Sequence, residues 1–165
     1  MAQAVRTYLE MTDPSALDGA PPPGPGVDVR REEHAPASLW RSLYTGVGRE
    51  YHWVDRLGWT DGEIREYLAD PALEFWVMRV EGEAAGYFEL RADGDGGIEI
   101  AYFGLLPAFV GRGLGKFLLT RAVEHAWARG ASRVWLHTSS LDHTSALPNY
   151  LARGFSIWKQ EIYAV

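Results

Sequence analysis

A chain of 165 residues, 47% of them hydrophobic and 23% charged, is sized for one domain with a sizeable core and has the make-up of an ordinary globular protein. It contains no cysteine, which excludes disulfide frameworks, thiolate nucleophiles and cysteine-based zinc sites. Its net charge of -6 argues against nucleic acid as a partner, because phosphate backbones are bound by basic surfaces; it is compatible with a cationic small molecule.

No apolar run approaches the roughly 20 residues that cross a bilayer, and the opening "MAQAVRTYLEMTDP" lacks a signal-peptide layout. A cytoplasmic protein without a membrane partner is the expectation. The five histidines are scattered, and His137 and His143 stand six apart, outside the roughly three-to-five-residue gaps of common zinc pairs. No metal site is expected.

In chain order, a first strand is predicted near Val5 to Met11, followed by "LDGAPPPGPGVDV" (17–29), a Pro/Gly-rich surface loop too short to divide two domains. "APASLWRSLYTGVG" and "TDGEIREYLADP" read as helices. The second opens on a capping box, Thr60 with Glu63 three residues on, and stops at Asp70-Pro71. Between them "REYHWVDRLGW" has no period and reads as a loop. Three aromatic and branched segments follow, "LEFWVMRVEG", "EAAGYFELRADGDGG" and "IEIAYFGLLP", separated by glycine turns short enough for an antiparallel meander.

From Gly113 to Arg129 apolar residues recur at helical spacing, with Gly130 as C-terminal cap. "RVWLHT" is a short, nearly continuous apolar strand of the kind covered on both faces. Strand, helix, strand in about 40 residues implies a right-handed crossover and parallel pairing of the 98–105 and 133–138 strands. A helix "TSALPNYLARG" and a strand "FSIWKQEIYAV" complete a mixed α+β domain.

The stretch Gly111, Arg112, Gly113, Leu114, Gly115 lies between a strand end and a helix start. There the first amide N–H groups lack internal partners and the helix dipole is positive, so the place suits an anion; glycine lets a phosphate approach the amides closely. A structural turn is the competing reading. A P-loop is excluded by Val110 and Phe117, and a dinucleotide fingerprint by Lys116.

The run "IEIAYFGLLPAFVGRGLGKFLL" resembles the cofactor motif of the GNAT N-acetyltransferase superfamily. Leu105-Leu106-Pro107 matches its Val-x-Pro-like segment, and Val110, Gly111, Arg112, Gly113, Leu114 and Gly115 match its Gln/Arg-x-x-Gly-x-Gly/Ala turn. "ALPNYLARGF" is similar to the family's Ala-x-x-x-Tyr-x-x-x-Gly-Phe signature. The resemblance spans about 98 to 155. It implies one GNAT-like domain over 1–165, with acceptor-side elements in 1–75 and a cofactor core in 76–165. The implied architecture is a mostly antiparallel mixed sheet with one parallel crossover and helices on both faces.

The resemblance also implies transfer of an acetyl group from acetyl-CoA to a primary amine of a small molecule, by direct attack in a ternary complex. Pyrophosphate would lie on the amides of Gly111 through Lys116, and pantetheine beside the backbones of Phe103 and Leu105. Val110 departs from the usual Gln or Arg, and His143 from an asparagine near the pantetheine. Tyr150 matches the usual general acid, against a reading as a packed core tyrosine. Glu99 matches the base of the histone-acetyltransferase branch, against a reading as a strand-end charge. Alternation places Glu99 on the same face as Phe103 and Leu105. His137 is the second candidate base.

Tyr51, Trp53, Asp55 and Trp59 in the aromatic loop are acceptor-pocket candidates, because aromatic walls with a carboxylate suit an amine; packing of helices on the sheet is the competing role. Arg56 is a candidate for an acceptor carboxylate. Asp142-His143 near Ser139 and Ser140 is not a hydrolase triad, since no G-x-S-x-G elbow is present. The alternative to catalysis is a CoA-binding sensor or interaction module of the same fold. Relatives often form homodimers, and no segment of this sequence locates such an interface.

Overall fold

The computed structural model describes residues 2–165. Seven strands form one sheet in the order Val27–Arg31 (β2), Leu73–Val80 (β3), Glu83–Ala92 (β4), Gly97–Leu105 (β5), Arg133–Ser139 (β6), Gln3–Met11 (β1), Ser156–Ala164 (β7). The meander is β3 (Leu73–Val80), β4 (Glu83–Ala92) and β5 (Gly97–Leu105), all antiparallel. The crossover helix α3 (Leu114–Ala128) leads to β6 (Arg133–Ser139), the strand parallel to β5. Helix α4 (Ala146–Arg153) and strand β7 (Ser156–Ala164) close the chain.

Two placements go beyond the local reading. The first strand, β1 (Gln3–Met11), lies between β6 and β7 and is antiparallel to both. Residues Val27–Arg31, assigned in part to the Pro/Gly loop, form the edge strand β2 on β3. A five-residue edge strand needs only one partner, so it carries little of the apolar signal by which strands are recognised.

Helices α1 (Ala37–Gly48) and α2 (Asp61–Leu68) pack on one face through Trp40, Leu43, Tyr44 and Ile64 against Phe75, Val77 and Tyr87. On the other face α3 and α4 bury Leu118, Leu119, Val123 and Tyr150 against Met78, Phe88, Leu90 and Leu136. The capping box of α2 is formed, Thr60 and Glu63 each satisfying the other's backbone N–H. No helix among the described residues is long and apolar enough to cross a membrane.

The expectation that both faces of β6 are covered does not hold. Val134, Leu136 and Thr138 are buried while His137 between them is exposed, because α1 and α2 stop over β3–β5 and leave this half of their face open.

Two irregularities shape the centre. In the β4–β5 ladder Glu89 pairs with Tyr102 but Leu90 with Ile100, so Ala101 is an extra residue, a β-bulge that bends its strand. The parallel β5–β6 ladder holds for only three pairs, Gly97–Arg133 to Glu99–Trp135. Beyond Glu99 the two strands part, and the edge of β5 that faces β6 has no strand partner.

Candidate active site

The gap leads to the start of α3. Gly111 and Gly113 hold φ of +83° and +75°, conformations that favour glycine. Gly113 is the helix N-cap with no side-chain cap, so the first amides of α3 have no partner from the cap residue. Side chains keep clear: a Cβ at Gly111 would meet nothing within 4 Å, and one at Gly113 only Pro23, at 4.0 Å. Leu114 is 2% exposed and anchors the turn in the core. Arg112 lies over the Phe109 ring, and Val110 and Lys116 are exposed.

From there a cleft runs along the gap, lined by Phe103, Leu105, Val110, Gly115, His143 and Asn149. Asn149 donates through Nδ2 to the Gly115 carbonyl at 3.2 Å, while its buried Oδ1 has no hydrogen-bond partner. His143 Nδ1 accepts from the Ser145 amide at 3.0 Å, which leaves Nε2 as the protonated nitrogen of the neutral ring. The His143 ring meets Tyr51 edge to face.

The cleft opens into a chamber of about 730 Å³. Tyr51, Trp53, Phe103, Asp142 and Tyr150 line both cavities. The chamber gathers Tyr51, Trp53 and Asp55 from the aromatic loop, Glu99 from β5, His137 from β6 and Tyr150 from α4. These residues come from segments almost 100 positions apart and meet where the parallel strands part.

Glu99 is on the opposite face from Phe103 and Leu105. It pairs with Arg91, and Tyr102 with Glu89, on the α1/α2 side; the bulge at Ala101 reverses the alternation expected of a regular strand. Burial raises its pKa, opposed by the charges of Arg91 and Arg56. His137 Nε2 lies 3.8 Å from Glu99 Oε2, too far for a direct hydrogen bond. The side chain is 41% exposed at the open face, yet partial desolvation among its neighbours and then the charge of Arg6 lower the His137 pKa, which holds it neutral near pH 7. Tyr150 is 6% exposed, and burial, reinforced by Asp142, raises its pKa, so its hydroxyl stays protonated.

Trp59 does not line the chamber. It stacks on Trp40 at 5.7 Å and meets Tyr67 edge to face, packing α1 on α2. Nor is Arg56 free: it lies 3.3 Å from Glu89, which is fully buried, inside a cage of Trp40, Trp59, Tyr67 and Tyr102. Burial works against its charge, but Glu89 and the tyrosines raise its pKa. Glu89 also accepts from Trp40 Nε1 at 2.8 Å and from the Tyr67 hydroxyl. This hub escaped the sequence reading, although a lone carboxylate inside the apolar stretch "GYFELRA" is a readable sign. Asn149 was likewise missed, one position before Tyr150.

The family described as Acetyltransferase (GNAT) matches residues 37–155, well over half of the chain. The chain belongs to the GNAT acetyltransferase family. An uncharacterized N-acetyltransferase encoded in the pepI 3' region of Lactobacillus delbrueckii subsp. lactis is 32% identical over 67% of this chain and 64% of its own length. A GCN5-related N-acetyltransferase from Kribbella flavida has the same fold, with a TM-score of 0.67 and 21% identity over 93% of this chain and 54% of its own. The PaiA N-acetyltransferase of Thermoplasma acidophilum, solved with coenzyme A, superposes with a TM-score of 0.53 and 13% identity over 64% of this chain and 74% of its own. This GNAT chain thus spans 64% of its Lactobacillus relative and 54% of the Kribbella chain.

Proposed function

We propose that the protein transfers an acetyl group from acetyl-CoA to a primary amine of a small molecule by direct attack in a ternary complex. The observation that carries this reading is the parting of β5 and β6 after three pairs. It opens a route from the uncapped start of α3 to a chamber holding Glu99, His137 and Tyr150. The residues present suit the co-substrate. The amides of 111–116 would hold its pyrophosphate, the unpaired edge of β5 at Phe103 and Leu105 would take the pantetheine, and the free Asn149 Oδ1 would accept from one of its amides.

When bound, acetyl-CoA supplies a thioester carbonyl as electrophile. Glu99 takes the first proton from the acceptor ammonium, and burial makes it a stronger base than a solvated carboxylate. His137, neutral and adjacent, serves as the alternative base. The second amine proton, released as the amide forms, passes to the departing sulfur by way of the Tyr150 hydroxyl. That hydroxyl gives one proton and regains another, as its raised pKa requires. Tyr51 and Trp53 wall the acceptor, and Asp55 faces its charge. On this reading residues 1–75 serve mainly the acceptor and 76–165 the cofactor.

The test is thiol release from acetyl-CoA with a panel of amino acids, simple amines, polyamines, aminoglycosides and peptide amines, with acetylated product identified by mass. Acceptor-dependent release supports the reading. Tight CoA binding without release from any amine refutes catalysis of this kind, and failure to bind CoA refutes the cofactor site as well.

A further inference from the structure

Resting on the acetyl-transfer reading, we infer that Arg91 receives a carboxylate carried by the acceptor beside its reactive amine, so that α-amino acids and close analogues are the preferred substrate class. Three arginines line the chamber, and two of them are engaged. Arg56 is held by Glu89 and caged by four rings. Arg6 is 3.1 Å from Glu161 and stacks on Tyr163 at 4.4 Å.

Arg91 differs. Its nearest carboxylate is Asp70 at 3.9 Å, and the two side chains are 33% and 42% exposed. An ion pair of that length and exposure holds weakly. The guanidinium rests over the Tyr67 ring at 5.2 Å, and its interaction with the Tyr67 hydroxyl, the largest influence favouring its charge, engages part of the five-donor fork and leaves the rest for a ligand.

Its position decides the chemistry. Arg91 is the cross-strand partner of Glu99, so the two side chains leave the same face with Cβ atoms about 5 Å apart. A fixed cation beside the base repels a plain ammonium at the one place where it must lose its proton. An acceptor with a carboxylate one or two carbons from its amine turns that repulsion into attraction, since Arg91 takes the carboxylate by a paired hydrogen bond while Glu99 takes the ammonium. The aromatic surfaces of Tyr51, Trp53 and Tyr102 then meet the substituent.

The test compares kcat/KM for matched acceptors, phenylalanine with phenethylamine and leucine with isoamylamine, in the wild type, Arg91→Gln and Arg91→Lys. The wild type is expected to prefer each amino acid. Arg91→Gln should lower that preference by about tenfold or more, as for other hydrogen bonds to charged groups, and Arg91→Lys should keep part of it. A role confined to tuning Glu99 moves both members of a pair together; an unchanged ratio in Arg91→Gln therefore overturns the inference. Faster turnover of the plain amines by the wild type overturns it too, while leaving acetyl transfer intact. Absence of thiol release with all four acceptors and the wider amine panel brings down the transfer reading and this inference with it.

Discussion

Replacing Glu89 by leucine should destabilise the protein by about 3–4 kcal/mol. The carboxylate is fully buried and accepts three donors: Trp40 Nε1 at 2.8 Å, the Tyr67 hydroxyl, and Arg56 at 3.3 Å. Breaking a buried ion pair from one side costs about 3–5 kcal/mol, and each neutral donor left unpaired about 1–3 kcal/mol. These contributions overlap. Arg56, with a side chain 15% exposed, recovers part of its loss through solvent, which favours the lower end. For a urea m-value of about 2 kcal/mol/M, the unfolding midpoint should fall by about 1.5–2 M with an unchanged slope. Arg56→Met added to Glu89→Leu should restore at least half of the loss, because an apolar pair of similar volume replaces a buried ion pair at little cost. Arg56 also donates its amide to Tyr44 at 3.2 Å, tying the aromatic loop to α1. The single variant should therefore raise KM for the acceptor far more than for acetyl-CoA. A midpoint shift below about 0.3 M in the single variant, or a double variant less stable than the single, would refute the reasoning.

Tyr150→Phe keeps the ring packed against Phe103 and Phe155, so its kcat should fall by about 100-fold or more while CoA binding by calorimetry stays within about threefold; equal kcat values would remove the acid. Glu99→Gln should abolish the acidic limb of the pH–rate profile, leaving His137 as base if that limb persists. Because burial raises the Glu99 pKa, its ionisation opposes folding. The cost is absent below the unfolded-state pKa and complete above the folded one, so Glu99→Gln should stabilise the protein at neutral to alkaline pH and leave its stability unchanged in strong acid. Gly113→Ala places a side chain at φ +75°, a strain of about 1–2 kcal/mol, and should weaken CoA binding by roughly tenfold through distortion of the turn; unaltered affinity would mean that these amides do not hold the pyrophosphate.

Features written in local chemistry could be read from the sequence, and those made by distant pairing could not. The box of Thr60 and Glu63, the glycine turns of the meander and the strand–glycine–helix passage at 105–115 each have a cause within a few residues, and all are present. The insertion of β1 between β6 and β7 depends on partners more than 100 residues away. At the site, a bulge of one residue decided more than composition did. Ala101 looks like any strand alanine, yet it moves Glu99 to the face of Arg91 and Tyr102. Arg56 and Trp59 have the residue types of a binding loop; that they serve packing follows only from the burial of Glu89 beneath them. The open face at His137 likewise depends on where α1 and α2 end, which "RVWLHT" alone does not contain.

The most direct test of the central claim is the initial-velocity pattern with acetyl-CoA and the best acceptor varied together. One chamber that joins the cleft along β5 to Glu99 and Tyr150, in a chain without cysteine, predicts intersecting lines, as both substrates must be present before the acetyl group moves. Parallel lines, the mark of an acetylated enzyme intermediate, would contradict it.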